Sequence, residues 1–392
     1  MRVLVIHPRL TVGGAERVIT LMAKGLKSLN VDVDLCFSAI EKNAGGSVRH
    51  MLWSSPRIEF LNNSSLSEKN VLTAKIAEYF GDFIKLCLLL KRDLESYDLI
   101  NPHNFPAYWS AAIVGAGRPI VWTCHDVLEP YGVLRDYYED GSIKYFIGLL
   151  QKLDSFIVRR KISKIVTNSK KNVRAILSRY SLSSKLIYPP IDTELFSPKN
   201  VSDKIVSGDL LIVQVGSFVK LKNYLASIIA LKIVKEKIPG SKLLLVGEGP
   251  WKKRLMVTAE KLGLTKDVKF IGFVNDVMLS EIYNSCDICV HPVLEQSFGL
   301  VPFEAISSGK PVLVSSKCGA AEIFEKYAPG MIVEPSPQKV AEKILEVYRN
   351  YEDVVHEVLE MRNMIVKILS PQMYAKKILK IFQETLEENV QK

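Results

Sequence analysis

CDICVHPVLEQSFGLVPFEAISSGKPVLVSSKCGAAEIFE, residues Cys286 to Glu325, sets out the fold in miniature. Asp287 to His291 is a short apolar run ending in His-Pro and reads as a β-strand. Leu294-Glu295-Gln296-Ser297-Phe298-Gly299 follows as a loop. From Leu300 the apolar residues recur at helical spacing, and the helix stops at Ser308-Gly309, where glycine suits a left-handed terminus. Pro311 to Ser315 is the next strand, and Gly319-Ala320-Ala321-Glu322 opens the next helix. Strand, loop and helix in repetition make an α/β protein with parallel strands.

The physics of this stretch is anion binding. A glycine at a helix start lets the backbone approach a ligand, and the first free N–H groups meet it with the positive end of the helix dipole. Glu304 lies five residues after Gly299, on the side that can look back toward the loop. Phosphate on the amides with a carboxylate beside it suits a sugar nucleotide, the diphosphate taking the N–H groups and a ribose diol the carboxylate. The same residues also read as an ordinary βα unit in which Glu304 is a buried or surface acid. The stretch alone leaves both open.

A chain of 392 residues is long enough for two domains, and 48% apolar with 24% charged residues is ordinary globular composition. The formal charge of +10 suits anionic ligands or an anionic membrane surface. No stretch carries a recognisable nucleic-acid motif, so nucleic acid is not expected as a partner. Arg2 to Ile6 already reads as a strand, which leaves no room for a signal peptide, and the most apolar run, Phe83 to Leu90, is too short to span a bilayer. The six cysteines suit a reducing compartment, and the lone C-x-x-C of Cys286 and Cys289 falls on a strand.

Taken in order, the first strand ends at His7-Pro8, and Thr11-Val12-Gly13-Gly14-Ala15-Glu16-Arg17 opens an amphipathic helix. Asp32-Val33-Asp34 could hold a metal, but it sits in the alternating run Val31–Phe37, which reads as the second strand. Residues 41–70 are polar and irregular, with an Asn-x-Ser at Asn62, and Val71 to Leu94 has helical periodicity. Asp98–Ile100 and Ile120–Thr123 read as strands, followed by His103 and by His125-Asp126. Strand ends of an open α/β sheet are where ligands collect. Tyr137 to Lys161 is rich in aromatic and basic residues, which fits either a bilayer-facing helix or a solvated face. Lys164–Asn168 is a strand, Ser169 caps the helix Lys170–Tyr180, and Leu186–Tyr188 is the last short strand before the proline-rich linker through Pro198. The second half opens with the strand Leu210–Val215 and the loop Gly216-Ser217-Phe218-Val219-Lys220-Leu221-Lys222-Asn223. Lys242–Val246 leads through Gly247-Glu248-Gly249-Pro250 into a helix with proline in its first turn. Phe270–Val274 and Gly330–Val333 are further strands, with helices expected at 276–285, 338–349, 352–369 and Tyr374–Leu386.

These motifs together resemble the family 4 glycosyltransferases, which have the GT-B fold. Five stretches match in order over nearly the whole chain: Gly-Gly-Ala-Glu-Arg from Gly13, His125, the Lys222 loop, Gly247–Pro250, and Phe298-Gly299-Leu300 with Glu304-Ala305. The family has a Glu seven intervening residues ahead of the second Glu; here Gln296 stands there, with Glu295 one position early. The resemblance implies that Glu304 binds the ribose, that Gln296 and Glu295 approach the donor sugar, and that His125 contacts the same sugar. It implies that Gly13 and Gly14 face the donor phosphates and the acceptor, that the backbone at Val274 holds the base, and that Ser297, Phe298, Gly299 and Leu300 offer amides. It implies too that Lys222 neutralises the diphosphate, while Ser217 stands where the family has Arg and brings no charge.

The expectation is therefore two Rossmann-like domains facing a central cleft, residues 1–190 joined by a C-terminal helix at 371–392, and residues 199–370. The implied activity is that of a retaining transferase, moving a hexose from GDP-mannose or a UDP-sugar to a glycan or lipid-linked acceptor in polysaccharide or glycolipid biosynthesis. It needs no metal and no cofactor beyond the nucleotide sugar. A cytoplasmic chain, peripheral on the cytoplasmic membrane face, is expected. Two other readings stand: a catalytically weak sugar-nucleotide-binding protein, for which Ser217 and Gln296 speak, and a dinucleotide-dependent oxidoreductase, against which the missing Gly-x-Gly-x-x-Gly speaks.

Overall fold

The computed structural model describes residues 1–11, 13–40, 71–91, 94–115, 117–127, 141–199, 206 and 208–391. It divides into two compact units, Met1–Pro190 with Pro371–Lys392, and Ile191–Ser370. Asn62, Tyr137 and Tyr138, singled out in the sequence, lie outside the described residues.

The first unit runs β1 (Arg2–Leu10), α1 (Gly14–Ser28), β2 (Asp32–Ile40), α2 (Val71–Leu90), β3 (Leu99–Pro102), α3 (Ala107–Val114), β4 (Val121–Cys124), α4 (Gly141–Lys161), β5 (Lys164–Thr167), α5 (Lys170–Tyr180) and β6 (Lys185–Leu186). The strands pair in parallel in the orders β2-β1-β3 and β4-β5-β6, and single parallel bridges, Ile100 to Ile120 and His103 to Thr123, join the two sets. β3 and β4 are buried at every position, as expected of parallel strands covered on both faces. Their polar members, Asn101 and Thr123, therefore need internal partners.

The second unit runs β7 (Leu211–Val215), α6 (Tyr224–Lys235), β8 (Lys242–Val246), α7 (Lys252–Lys261), β9 (Val268–Gly272), α8 (Asp276–Ser285), β10 (Ile288–His291), α9 (Val301–Ser307), β11 (Val312–Ser315), α10 (Ala321–Tyr327), β12 (Ile332–Val333), α11 (Pro337–Arg349) and α12 (Tyr351–Ile368). Its parallel sheet has the order β12-β11-β10-β7-β8-β9. Strand order reverses between β7 and β10, so the loops that leave those two strands open side by side. The core is formed by Ile212, Leu243, Leu245, Ile288, Val290 and Leu313 from the strands, with Ile228, Leu231 and Ile344 from the helices. The last helix, α13 (Pro371–Val390), packs in the first unit along α1, where Gly25 has no room for a Cβ because Ala375 Cβ and the Pro371 carbonyl are in the way.

Several boundaries differ from the sequence reading. β1 continues through His7-Pro8 to Leu10, because beyond Ile6 it pairs only with β2 and the proline costs no ladder bond. The strand expected at Phe270–Val274 lies at Val268–Gly272, since Gly272 takes a φ of 79° and ends the extended run. Pro250 lies in the turn before α7 rather than in its first turn. The sequence reading has no helix at α3, whose residues are apolar apart from Ser110 and so show no amphipathic stripe. Asp34 is a strand residue, as its alternation indicated, and its carboxylate accepts from Arg2 Nη2 and the Tyr97 hydroxyl, both at 2.8 Å.

Asp154 of α4 ties the first unit's helices together. Fully buried, it accepts from the Tyr108 hydroxyl and Trp109 Nε1 on one oxygen, and from Arg179 Nη2 and the Tyr180 hydroxyl on the other, at 2.7–3.0 Å. Asp154→Ala strands four donors in the interior and should destabilise this unit by about 3–5 kcal/mol. Urea unfolding followed by tryptophan fluorescence measures it, and a change under 1 kcal/mol would show that the cluster rearranges freely.

Candidate active site

The site in the second unit is built where the sheet order reverses. β7 and β10 are partners through Ile288 to Ile212 and Cys289 to Val213. β7 delivers the loop Gly216–Asn223, whose last turn, Lys220–Lys222, is a 3-10 helix. Gly216 has a φ of 143°, and the Tyr224 hydroxyl donates to its carbonyl at 2.6 Å. The methylenes of Lys222 pass 3.7 Å from where a Gly216 Cβ would stand. Asn223, at a left-handed φ of 55°, donates to the carbonyls of Pro292 and Pro335, both at 2.9 Å. Gln214, the polar residue in otherwise apolar β7, holds the Lys222 carbonyl at 2.7 Å.

β10 delivers the other half. Its last residue, His291, and Lys222 both reach Gln296 Oε1, at 2.9 Å and 2.7 Å. An ammonium only donates, so the amide oxygen faces it, and the ring Nε2 of His291 must donate to the same oxygen. Burial, reinforced by the Lys222 charge, pushes His291 down to about 3, so the ring is neutral. Burial also lowers Lys222, which among the described residues meets an amide and no carboxylate. The loop Gln296–Leu300 is clamped from behind by the turn before α10. Gly319 N–H donates to the Gln296 carbonyl at 3.0 Å and Ala320 N–H to the Phe298 carbonyl at 2.8 Å. A Cβ on Gly319 would stand 1.9 Å from the Ser297 carbonyl oxygen, which restricts this position to glycine. Gly299 has a φ of 94° and brings the backbone against His291 and Gln296.

In the first unit, His103 and His125 directly follow β3 and β4, and His7 lies within β1. His7 Nδ1 donates to the Arg9 carbonyl at 2.8 Å, and His103 Nδ1 lies 2.8 Å from His125 Nε2. Burial lowers all three, His125 to about 3. The Gly13-Gly14 turn caps α1, and the buried Glu16 carboxylate, which accepts from the Thr11 hydroxyl, fills the space beside Gly13.

Two family models match in series along the chain, "Glycosyltransferase Family 4" over residues 12–195 and "Glycosyl transferases group 1" over residues 198–367. The chain belongs to the group 1 glycosyltransferases. Among similar proteins, an uncharacterized glycosyltransferase of Methanocaldococcus jannaschii is 27% identical over 63% of this chain and 65% of its own length, just under two thirds. The N-acetylgalactosamine-N,N'-diacetylbacillosaminyl-diphospho-undecaprenol 4-alpha-N-acetylgalactosaminyltransferase of Campylobacter jejuni is 27% identical over 82% of this chain and 83% of its own. The crystal structure of HepE of Anabaena in complex with UDP and glucose superposes with a TM-score of 0.77 at 21% identity, covering 98% of this chain and 100% of that one. The fold is GT-B.

Against this group 1 glycosyltransferase frame, the sequence-read residues fall into place unevenly. Lys222, Gln296 and Gly299 come together. Ser217 is exposed at the start of its loop, and Val274 follows the end of β9, half-buried. Glu295 and Ser297 flank Gln296, half-buried, while Phe298 is buried against Phe303. Glu304 is 1% exposed, and its Oε2 accepts from the Tyr283 hydroxyl of α8 at 2.9 Å. His291, Gln214 and Asn223 were not read as site residues. The signal was present in two of them, a polar side chain inside or ending an apolar buried strand.

The neutral His291 gives a pH dependence. In the unfolded chain a histidine titrates near 6.5, and in the folded protein His291 does so at about 3. Stability from this group is whole above pH ~6.5 and is lost as pH falls toward 3, by roughly 1.4 kcal/mol per pH unit. Urea unfolding between pH 7.5 and 4.5 should show a shallower acid slope for His291→Gln than for the parent. Identical slopes would mean that His291 titrates alike in both states.

Proposed function

We propose that this chain is a retaining glycosyltransferase that moves a hexose from a nucleoside-diphosphate sugar, GDP-mannose or a UDP-sugar, to a glycan or lipid-linked acceptor. The observation that carries this is Lys222, held 2.7 Å from Gln296 where the β7 and β10 loops meet. UDP in the HepE complex and the diphospho-undecaprenol in the Campylobacter enzyme's name favour a UDP-sugar and a lipid-linked acceptor. As the glycosidic bond breaks, negative charge collects on the departing diphosphate. A cation already fixed there stabilises the transition state more than the ground state. A carboxylate at position 296 would pair with Lys222, whereas the amide orients the ammonium and leaves its charge for the diphosphate. The Ser217 hydroxyl and the amides of Phe298, Gly299 and Leu300 add hydrogen bonds, Glu304 takes the ribose, and the backbone at Val274 takes the base. His125 meets the donor sugar, and the acceptor hydroxyl attacks the face the diphosphate leaves. The Gly13-Gly14 turn, carrying the Glu16 carboxylate, suits acceptor hydroxyls better than phosphate. With Lys222 supplying the charge, no metal is required.

Lys222→Ala should raise the barrier to transfer by about 2–4 kcal/mol at saturating donor, and the parent should keep its activity in EDTA. Single-turnover kinetics with a panel of sugar nucleotides measures both. An unchanged rate in Lys222→Ala removes the phosphate role. Binding of the donor with no turnover by the parent favours the catalytically weak reading that Ser217 motivates.

We also propose that the first unit docks on an anionic bilayer. Among the described residues no helix is long and apolar enough to cross a membrane. α4 instead exposes Leu149, Leu153 and Phe156 at helical spacing, with the Arg160 guanidinium 4.9 Å over the Phe156 ring. α2 exposes Phe80, Ile84 and Leu88 in the same way. Apolar side chains flanked by bases are the composition of an interfacial helix, at about 1 kcal/mol per base near an anionic surface. Arg159 is committed inside the unit, donating to the Tyr180 carbonyl at 2.7 Å. The chain should float with phosphatidylglycerol vesicles at low salt and release at high salt, and Lys152, Arg160 and Lys161 changed together to Gln should weaken this several-fold. Equal flotation of parent and triple variant would make the basic run a solvated face.

A further inference from the structure

Asn101, His103 and His125 form a hydrogen-bonded chain at the carboxyl ends of β3 and β4, and its chemistry runs in one direction. Asn101 Nδ2 donates to the Val121 carbonyl at 2.6 Å and to Thr123 Oγ1 at 2.9 Å. A carbonyl only accepts, so the amide's orientation is fixed and its oxygen is the atom 2.9 Å from His103 Nε2. That oxygen also only accepts, so His103 carries its proton on Nε2. His103 is completely buried, and burial, with the neighbouring His125 and His7, holds it neutral. Its Nδ1 is therefore a lone pair, and it faces His125 Nε2 at 2.8 Å. His125 Nε2 must be the donor there. His125 is neutral in its turn, which leaves its own Nδ1 without a proton.

His125 is fixed in position as well as in tautomer. Its carbonyl accepts from Asn168 Nδ2 at 2.8 Å and from Asn172 Nδ2 at 3.1 Å, and its ring lies 5.0 Å from that of His103. The bridge from His103 to Thr123 sets the two strand ends side by side. Where His103 is sealed, His125 keeps partial exposure.

We propose that Asn101 and His103 are positioning residues that lock His125 as the Nε2–H tautomer, so that its Nδ1 accepts a hydrogen bond from a hydroxyl of the sugar substrate. The substrate half of this rests on the transferase reading above. A neutral imidazole held this way can accept at Nδ1 and cannot donate there. It recognises a hydroxyl, discriminates against a sugar in which that hydroxyl is replaced by hydrogen or O-methyl, and gives no proton to the leaving group. Asn101, a polar residue in a wholly buried strand, is thereby accounted for: it is the fixed end from which the direction of each later bond follows.

The test is nitrogen-15 NMR of the full chain with labelled histidine near pH 7, His125 being assigned by the signal lost in His125→Gln. The parent should show His125 protonated on Nε2. His103→Leu removes the acceptor and should release His125 into a mixture of tautomers, with kcat/KM for the sugar nucleotide falling about tenfold, as for one lost hydrogen bond. His103→Asn, whose amide oxygen can stand in for Nδ1, should restore both. A donor lacking the recognised hydroxyl should be used equally well by the parent and by His103→Leu. His125 protonated on Nδ1 in the parent overturns the proposal, and this measurement holds even where His103→Leu fails to fold. An unchanged His125 tautomer in a folded His103→Leu overturns it too. The expected tautomers with no sugar nucleotide bound or turned over would refute the transferase reading and the hydroxyl contact, while leaving the tautomer lock itself supported.

Discussion

The second unit depends on one constraint, the parallel pairing of β7 with β10. Lys222 and Gln296 are 74 residues apart in the chain, yet their bond follows from that pairing. Neighbouring parallel strands that lead to opposite halves of a sheet leave their outgoing loops with no helix between them, and a gap opens there. The loops are then fixed by backbone geometry few sequences tolerate. Gly216 and Gly299 sit at positive φ, and Gly319 cannot carry a Cβ. Asn223 anchors the first loop to the ends of two further segments of the sheet. The lysine is placed by all of this before any ligand arrives, which is what preorganised charge requires.

The same logic explains where polar residues occur in strands that are otherwise sealed. Burying an amide or imidazole is costly, the more so for Gln214 and His291, whose Oε1 and Nδ1 are buried without a hydrogen-bond partner, so such a residue persists where the bond it does make has a use. Gln214 holds the backbone of Lys222, and His291 holds Gln296. In the first unit Asn101 reaches across to β4, and through His103 it reaches His125. Asp154 differs in kind, because its four partners are helix side chains away from the strand ends, and it serves cohesion.

Much of this was legible in the sequence. Apolar runs of four or five residues alternating with helical periodicity gave the α/β class and most elements, because parallel strands buried on both faces have little choice of composition. Ser169 and Gly309 marked helix ends where the structure has them. Boundaries failed where a local rule competed with pairing, as when β1 ran through Pro8 for lack of a second neighbour. The Lys222 loop could be picked out as a motif, but its partner could not, since no spacing along the chain encodes which strands lie side by side. Arg159 looked like one of a surface run, and only the structure shows it bonded to the end of α5. Glu304 could be placed on α9 but not given its partner, the Tyr283 hydroxyl, which comes from another helix.

The two units differ in the hydrogen-bonding character they offer a ligand. Around Lys222 the ammonium and the Gln296 amide nitrogen are donors, the latter set beside Gly299 because its oxygen is taken by Lys222 and His291, while the acceptor Nδ1 of His291 is buried. Such a surface suits phosphate oxygens, which only accept. In the first unit the Glu16 carboxylate, in the first turn of α1, and the bare Nδ1 that we assign to His125 are acceptors, and they suit hydroxyl groups. Placing Gln rather than a carboxylate at position 296 sharpens the contrast, because an acid there would put an acceptor and a negative charge among the donors. On this argument the substitution belongs to the donor chemistry of the second unit, and Ser217, which donates without charge, leaves Lys222 as the cation of that cluster.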